Sequence, residues 1–377
     1  MNINTLCIHG SEDKSHCTGS VSVPIYQTAT YVHPAVGQST GYDYSRVQNP
    51  TREQLEITLA KLENGVDAMA FSSGMAAVTA MMELFKIGDH IIASDDLYGG
   101  THRLFCSISE KNGISFDFVN TSEASKIAEH IRPETKAIFI ETPTNPLMKV
   151  SDIAAISAIA KQHGLFLIVD NTFLTPYFQN PIDLGADIVV HSGTKYLAGH
   201  NDTLAGFLVT RTAEISEKLR YIYKTTGACL APFDSWLVMR GIKTLAVRME
   251  KQQENAIRLA NWLCQHPKVR SVYYVGLPTH PDFEVSLKQS RGFGAMISFK
   301  VDSEQTAIQL LQRVKLVLYA ESLGGVESLI TYPMLQTHAD IPKEEREAKG
   351  IDETLLRLSV GLEHIDDIIA DLEQALA

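Results

Sequence analysis

The sequence predicts an α/β fold in which helices cover both faces of a mostly parallel central sheet. The first observation is a series of short apolar runs, rich in β-branched residues, between about residues 52 and 212. The second is that helix-like segments lie between several of these runs. Strands that are apolar on both faces are typical of buried parallel sheets, and alternation with helices favours parallel pairing. Ligands bind at the carboxyl ends of the strands in such sheets.

Residues 1–50 are expected to form an irregular N-terminal arm. They are rich in Gly, Pro, Ser, Thr and Tyr, and the stretch from Thr18 onward shows neither a helical nor a strand period. A segment of this length without a core of its own must pack on another surface. That surface is either the arm's own domain or a neighbouring subunit, and the residues alone leave both alternatives open.

Residues 51–245 are expected to form the main α/β domain. Its predicted strands are DAMAFSS, HIIASDD, ISFDFV, KAIFIETP, LFLIVDNT, ADIVVHSG and LAGFLVT. One intervening helix is predicted directly after Ser73, and another from a cap at Ser151 to Gly164, because serine favours helix starts and glycine favours helix ends. The polar residues that end these strands are the first candidates for a site: Ser72, Ser73, Asp95, Asp96, Glu141, Asp170, Ser192 and Lys195.

Residues 246–377 are expected to form a smaller α+β domain. A long helix-like stretch, GIKTLAVRMEKQQENAIRLANWLCQH, stops before Pro267 and leads into it. The apolar segments VRSVYYVGL, GAMISFKV, AIQLLQRVKLV and HIDDIIADLEQAL follow. No internal repeat interrupts this order.

Composition excludes several classes of function. The 377 residues carry a net charge of −11, which disfavours a binder of nucleic acid or of membrane surfaces because a polyanion would be repelled. No apolar stretch is long enough to span a bilayer, and the first residues lack the layout of a signal peptide, so we expect a cytoplasmic protein. The five cysteines are scattered without a C-x-x-C pair, which disfavours a disulfide framework or a structural zinc site.

The strand-end residues predict a site for pyridoxal phosphate. Lys195 follows one buried strand and Asp170 ends the preceding one, which on its own is also compatible with a simple ion pair. The helix start after Ser73 offers free N–H groups to an anion, and Tyr98 offers an aromatic face. A nucleophilic lysine, a carboxylate, an anion site and an aromatic ring are the parts that bind this cofactor, whose ring then stabilises a substrate carbanion.

The sequence lacks the motifs of nucleotide-binding and zinc-dependent enzymes. The sequence has neither a G-x-x-x-x-G-K-[ST] loop nor a strand-linked G-x-G-x-x-G motif, so no nucleotide-binding signature is present. It also lacks an H-E-x-x-H pattern. His191 and His200, which flank Lys195, are expected to make hydrogen bonds rather than bind a metal.

Six motifs resemble those of the Cys/Met-metabolism family of pyridoxal-phosphate enzymes, and they occur in that family's order. They are YDYSRVQNPTR, FSSGMAA, ETPTNP, VDNTFLTP, SGTKYLAGHND and AESLGGVESLITYP. The resemblance implies a fold-type-I enzyme acting on amino-acid substrates. The family includes cystathionine γ-synthases, cystathionine γ- and β-lyases, methionine γ-lyases and O-acetylhomoserine sulfhydrylases.

The resemblance also implies roles for individual residues. Lys195 is implied to be the Schiff-base lysine and proton shuttle, Asp170 the partner of the ring nitrogen, and Tyr98 a stacking and second acid–base residue. The remaining cofactor contacts are implied for Gly74, Met75, Ser192, Thr194 and Asn145. Arg357 and Ser322 are implied to bind the substrate carboxylate, for which a planar guanidinium is well suited; the alternative is that Arg357 is a surface cation.

The same resemblance implies a role for the N-terminal arm. Tyr44 and Arg46 are implied to reach the phosphate of the neighbouring subunit, which predicts a homodimer as the active unit and a homotetramer as the assembly. An arm folded on its own domain is the alternative, and it needs no oligomer.

The reaction is less closely specified because the substrate contacts, not the cofactor contacts, decide it. Gly100 disfavours a methionine γ-lyase, which is similar elsewhere but carries cysteine there. Glu321 resembles the γ-synthase and γ-lyase group, where an acid receives a distal ammonium, and Asp43 is similar to γ-synthases. The segments LITYP and QTHADIP resemble both bacterial synthase-type and β-lyase-type members. Cystathionine γ-synthase is therefore predicted slightly ahead of γ-lyase or β-lyase, and well ahead of an O-acetylhomoserine sulfhydrylase or an aminotransferase.

Overall fold

The computed structural model of the chain describes residues 1–10, 19–337, 339 and 343–377. Cys17 and part of the QTHADIP segment (His338 and residues 340–342) lie outside the described residues. The helices are α1 (Ile3–His9), α2 (Pro50–Leu62), α3 (Gly74–Met82), α4 (Gly99–Leu104), continued by one π-helical turn (Phe105–Ser109), α5 (Ala124–Glu129), α6 (Ile153–His163), α7 (Thr175–Phe178), α8 (Ala213–Thr226), α9 (Pro232–Ile242), α10 (Leu245–Gln265), α11 (Phe283–Gln289), α12 (Glu304–Arg313), α13 (Lys343–Ala348) and α14 (Ile365–Leu376).

The strands form two sheets. They are β1 (Asp67–Phe71), β2 (His90–Ser94), β3 (Ser115–Val119), β4 (Thr135–Glu141), β5 (Phe166–Asp170), β6 (Ile188–Ser192), β7 (Gly206–Thr210), β8 (Val269–Tyr273), β9 (Met296–Val301), β10 (Leu318–Tyr319), β11 (Leu329–Thr331) and β12 (Leu355–Ser359). The large sheet has the order β1-β7-β6-β5-β4-β2-β3, and the small one β10-β11-β12-β9-β8. Each of the seven strands predicted for the main domain is present.

The large sheet is mostly parallel, as predicted. Strands β6, β5, β4, β2 and β3 pair in parallel, whereas β7 runs antiparallel to both of its neighbours. Side chains along β4 alternate between two buried apolar clusters: Ala137 and Phe139 face one, Ile138 and Ile140 the other. Both faces are therefore buried, which explains why these strands lack a polar alternation in the sequence.

Strand register brings the predicted site residues to one edge. Glu141, the last residue of β4, lies opposite Asp170, the last residue of β5. Asp170 in turn lies opposite Val190 of β6, two residues before Ser192. The carboxyl ends of three adjacent parallel strands therefore meet where Lys195 begins the next loop.

The first predicted helix begins at its expected start signal, Ser72-Ser73-Gly74, whereas the cap predicted for the second is wrong by one residue. Ser73 caps α3, since its side chain accepts a hydrogen bond from the Ala76 N–H at 3.1 Å. Helix α6 is capped by Asp152, whose carboxylate accepts from the Ala155 N–H at 2.9 Å, and not by Ser151. The Ser151 hydroxyl instead bonds to Thr121 at 2.8 Å.

The arm is irregular over most of its described length but not at its beginning. Helix α1 lies within the segment predicted to be irregular, and its Cys7 is buried. A seven-residue helix presents too few turns to show a clear period, which accounts for the error. Residues 19–49 contain only isolated bridges, such as Thr30 to Tyr44, before Asn49 caps α2. The boundaries of the three predicted domains remain a prediction.

Helix α10 corresponds to the long stretch predicted before Pro267. It leads into the small sheet, whose central strands β12 and β9 pair antiparallel. Among the described residues, no helix is both long and apolar enough to cross a membrane.

Candidate active site

A cavity opens at the carboxyl edge of the large sheet, where the loop before β11 and strand β12 approach it. The space inside it is about 960 Å³ when the solvent-filled mouth is counted. Eleven predicted site residues line it: Gly74, Met75, Tyr98, Asn145, Asp170, Ser192, Thr194, Lys195, Glu321, Ser322 and Arg357. The cavity therefore joins residues from both sheets, up to 283 positions apart in the chain (Gly74 to Arg357).

The side-chain amine of Lys195 has a lowered pKa. Its Nζ donates to Ser322 Oγ at 3.0 Å, across 127 residues of chain. Burial and then the nearby Arg357 guanidinium lower its pKa to about 8, although Glu321 acts in the opposite direction. A lysine with an ordinary pKa near 10.5 is almost wholly protonated at neutral pH, so this shift makes the free, nucleophilic amine far more abundant.

Asp170 offers a largely buried carboxylate to the cavity. Its Oδ1 accepts hydrogen bonds from the backbone N–H of Thr172 at 3.0 Å and from the Thr172 hydroxyl at 2.5 Å. Burial raises the pKa of Asp170, while Thr172 and His191 act to lower it. A cationic group in the cavity would pair with this carboxylate and hold it ionised.

Helix α3 provides an anion site opposite the strand ends. The N–H groups of Gly74 and Met75 lie in its first turn, where no carbonyl within the helix can accept them. Ser192 contacts the same point, because a Cβ on Gly74 would lie 3.1 Å from the Ser192 Cβ. Thr194 lines the cavity beside it. Two free amides and two hydroxyls suit a phosphate group.

Tyr98 lies at the cavity mouth just before α4. Its backbone N–H donates to Glu141 Oε2 at 2.9 Å, and burial followed by Glu321 raises the pKa of its phenol. Gly100 lies directly against the ring: a Cβ there would approach Tyr98 Cε1 to 2.5 Å and Met75 Sδ to 3.0 Å. Glycine at position 100 therefore lets the ring pack where any side chain would displace it.

Arg357 is a buried cation in β12, with only 2% of its surface exposed. It donates to Asn145 Oδ1 at 2.8 Å and to the Ser322 carbonyl at 3.0 Å, while its Nε has no partner among the described residues. Because Arg357 is buried, its interpretation as a surface cation is wrong. Ser322, whose carbonyl accepts from Arg357, has a φ of +136°, which residues other than glycine rarely adopt.

Glu321 stands at the mouth of the cavity with an exposed side chain. Among the described residues it makes no salt bridge, although its charge opposes the lowering of the Lys195 pKa. The carboxylate is thus available to an incoming cation.

Three predicted residues do not join the cavity of their own chain. Tyr44 is half exposed, and Arg46 donates to the Lys224 carbonyl while its guanidinium lies over the Tyr44 ring at 5.7 Å. Asp43 contacts His33 at 3.2 Å. The geometry of one chain thus leaves these arm residues outside the site.

Several contacts of the site are not indicated by the sequence. Glu141 ends a predicted strand without an expected role, and nothing in the sequence marks Thr172 as a partner of Asp170. His191 is fully buried and bonds to the equally buried Glu63 at 2.6 Å, and His200 bonds to the Ala198 carbonyl at 2.7 Å. Both histidines therefore make hydrogen bonds, as predicted. Glu63 lies 128 residues from His191, so no local pattern could have revealed the pair.

The fold and the cavity together define an enzyme with a reactive lysine and an anion-binding helix start. The chain belongs to the Cys/Met metabolism family of pyridoxal-phosphate-dependent enzymes, whose family model matches residues 4–377. It is therefore a pyridoxal-phosphate-dependent enzyme of sulfur amino-acid metabolism.

Relatives with three different activities resemble the chain to a similar degree. Cystathionine γ-lyase of Bacillus subtilis (strain 168) is 52% identical, with 100% of this chain and 99% of that protein covered. Cystathionine β-lyase of Lactococcus lactis subsp. cremoris (strain MG1363) is 51% identical, with 99% and 98% covered. Cystathionine γ-synthase of Haemophilus influenzae is 50% identical, with 100% and 98% covered.

A solved structure matches the fold closely. Cystathionine γ-lyase from Lactobacillus plantarum, complexed with L-serine, superposes with a TM-score of 0.97 at 46% identity, covering 100% of this chain and 98% of that chain. The prediction of family, fold type and cofactor is confirmed. The sequence identities of the relatives with different activities are too similar to select a single reaction.

Proposed function

We propose that this enzyme makes the Cγ–S bond of cystathionine from an O-acylhomoserine and cysteine, that is, that it is a cystathionine γ-synthase. The observation that carries the proposal is Glu321, a carboxylate without a cationic partner among the described residues, at the mouth of the cavity and next to Ser322. A second amino acid that enters after the first brings an ammonium group to this point. Glu321 is suited to receive it while the sulfur faces the cavity.

The cavity residues suit the cofactor of the family. Gly74, Met75, Ser192 and Thr194 would hold its phosphate, Asp170 its ring nitrogen, Tyr98 its ring face, Asn145 its ring hydroxyl and Lys195 its aldehyde. This assignment rests on the donor set and its proximity: free amides and hydroxyls for an anion, and a carboxylate for a cation. When bound, the cofactor supplies an electron sink that makes the protons of a substrate amino acid acidic.

The chain's own residues then bind the substrate and move its protons. Arg357 would bind the α-carboxylate, with Ser322 holding the other side of the same pocket. Lys195 Nζ, freed for proton transfer, would take a proton from Cα and then one from Cβ. The acyl group would then leave Cγ as a carboxylate, the sulfur of cysteine would add at Cγ with loss of its proton, and the protons would be returned to Cβ and Cα. Its pKa of about 8 suits both directions near neutral pH, since a shuttle works best when its pKa lies close to the operating pH.

Cystathionine γ-lyase is the second candidate. A specific observation favours it: both the 52% identical Bacillus relative and the closely superposing Lactobacillus structure carry that name. The same residues serve either reaction up to the loss of the γ substituent. In γ-replacement a thiol then adds at Cγ, whereas in γ-cleavage Cγ takes up a proton and water releases the product as an oxoacid and ammonia. β-Cleavage, named for a 51% identical relative, breaks the bond on the other side of sulfur.

The arm completes the proposal. Since Tyr44 and Arg46 lie outside the cavity of their own chain, we include in the proposal that they serve the phosphate of a second copy. The active unit would then be a homodimer, within a homotetramer.

The described cysteines fit a cytoplasmic enzyme, which is the location we propose. Cys7, Cys229 and Cys264 are free thiols. Free thiols are typical of proteins that work in a reducing compartment.

Products distinguish the three reactions. With L-cystathionine alone, γ-cleavage releases 2-oxobutyrate and cysteine, whereas β-cleavage releases pyruvate and homocysteine; mass spectrometry identifies the oxoacid. We expect O-acylhomoserine and cysteine to yield cystathionine at least about tenfold faster than cystathionine is cleaved, because a carboxylate leaves Cγ more readily than a thiolate does, and a barrier lower by about 1.4 kcal/mol is a tenfold difference in rate. Faster formation of 2-oxobutyrate would make the enzyme a γ-lyase, and pyruvate as the main oxoacid would exclude γ-chemistry.

The Lys195 amine predicts a pH dependence for cofactor attachment. Only the neutral amine attacks an aldehyde, so the rate should rise about tenfold per pH unit below 8 and become constant above it. Stopped-flow absorbance, with cofactor-free protein and pyridoxal phosphate from pH 6 to pH 10, measures this rate. A rise that continues to pH 10 would assign an ordinary pKa to the lysine.

A further inference from the structure

A buried arginine, Arg248 of α10, holds the loop that carries Lys195. Only 2% of its surface is exposed. Its Nη1 donates to the Tyr196 carbonyl at 2.8 Å, its Nη2 to the Gly241 carbonyl at 2.9 Å, and its Nε to Thr244 Oγ1 at 3.2 Å. One planar guanidinium thus joins the residue after Lys195 to the end of α9 and the start of α10.

The loop that follows Lys195 packs so tightly against Arg248 and α9 that a Cβ could not be added at either of two glycines. Gly199 has a φ of +72°, and a Cβ there would lie 2.2 Å from Arg248 Nη1. On the neighbouring side, a Cβ on Gly241 would lie 2.1 Å from the Ala198 carbonyl oxygen. The loop is also closed on itself, since the Gly199 N–H donates to the Lys195 carbonyl at 2.8 Å. Both faces of the turn are therefore fixed relative to α9 and α10.

Arg248 makes no salt bridge to a carboxylate among the described residues. Burial lowers its pKa to about 10, so it stays charged at neutral pH. A buried cation without an anion is unfavourable unless hydrogen bonds compensate it, and here two carbonyls and one hydroxyl do so. A neutral apolar residue would fill this space with less desolvation cost, so the contacts that Arg248 makes to the loop need a reason beyond packing.

We infer that Arg248 is a positioning residue for Lys195: its hydrogen bond to the Tyr196 carbonyl fixes the backbone from which the lysine amine reaches into the cavity. The inference rests on the role proposed above for Lys195. Arg248 lines neither the cavity nor the anion site. Its loss should consequently impair what the lysine does, and leave the binding of phosphate and of the substrate carboxylate intact.

The effect on Lys195 and the effect on phosphate binding can be measured separately. The full-length chain is first freed of cofactor and is then given either pyridoxal phosphate or an analogue that lacks the aldehyde. Arg248→Met is expected to attach pyridoxal phosphate at least about tenfold more slowly than wild type, because a small displacement of a reacting group costs up to about a hundredfold in rate. Its dissociation constant for 4-deoxypyridoxine 5′-phosphate, which has no aldehyde, should stay within about twofold of wild type, as for independent sites. In the loaded enzyme, kcat should fall while KM is unchanged.

Matched variants complete the test. Arg258→Met removes an arginine from the exposed face of the same helix, where it pairs with Asp366, and should behave as wild type. Arg248→Lys keeps the charge but lacks the planar fork, so it should attach the aldehyde at an intermediate rate. If Arg248→Met does not fold, the lysine variant decides in the same assay.

Two outcomes would overturn the inference. One is attachment at the wild-type rate in the Arg248 variant. The other is an equal loss of affinity for both cofactor forms, which would assign Arg248 to general stability. Failure of the proposed role of Lys195 looks different: wild type and Lys195→Ala would then give identical spectra with pyridoxal phosphate.

Discussion

Replacing Lys195 by alanine is expected to lower kcat/KM for the natural reaction by about 10⁴-fold, the upper end of what a positioned acid–base group contributes. Among the described residues that line the cavity, Lys195 has the amine best suited to lose a proton near neutral pH, because burial and Arg357 lower its pKa to about 8, whereas burial lowers the pKa of Arg357 only to about 10. Removal therefore deletes both the attachment point of the cofactor aldehyde and the group that moves the substrate proton. Steady-state kinetics on the cofactor-loaded variant measure the loss.

Three controls show whether a loss of activity comes from the missing amine and not from unfolding of the protein. The alanine variant should unfold at a temperature close to that of wild type, because the Lys195 side chain donates one hydrogen bond among the described residues, to Ser322. Lys195→Arg keeps the positive charge but cannot act as a base, and should be equally inactive. Added methylamine should restore part of the proton transfer in the alanine variant only. Undiminished turnover by either variant would remove Lys195 from the mechanism.

The sequence predicted the fold well because its signals are local. Strand β4 reads as a continuous apolar run since alternate residues enter two different cores. Its carboxyl end, like those of β5 and β6, is marked by a polar residue, and parallel pairing brings those ends together without further information. Asp170 and Lys195 could therefore be expected in one site before their register was known.

Contacts between distant segments could not be predicted in this way. Arg248 lies 52 residues after Tyr196, inside an amphipathic helix where an arginine usually faces solvent. Helix caps show the same limit at short range, because Ser151 and Asp152 are both suitable and tertiary hydrogen bonding of Ser151 to Thr121 decides between them. Substrate preference is harder still, since it depends on Glu321 and on a second molecule that approaches it.

Replacing Arg357 by lysine is the second substitution with a large expected effect. Removing one partner of a buried, hydrogen-bonded ion pair costs about 2 to 4 kcal/mol, so kcat/KM should fall by about thirty- to a thousandfold. The loss should lie in KM, because the carboxylate is bound equally before and during reaction. Lysine retains the charge but cannot donate two parallel hydrogen bonds while also contacting Asn145 and the Ser322 carbonyl.

A ligand without the carboxylate provides the internal control. The dissociation constant of an unreactive amino acid should rise in the Arg357 variant by the same factor as KM, while that of the corresponding amine should hardly change. Equal losses for both ligands would mean that Arg357 acts by holding the Ser322 and Asn145 loops in place. Because its Nε has no partner among the described residues, the guanidinium has a donor left for an incoming group, and we expect the carboxylate-specific loss.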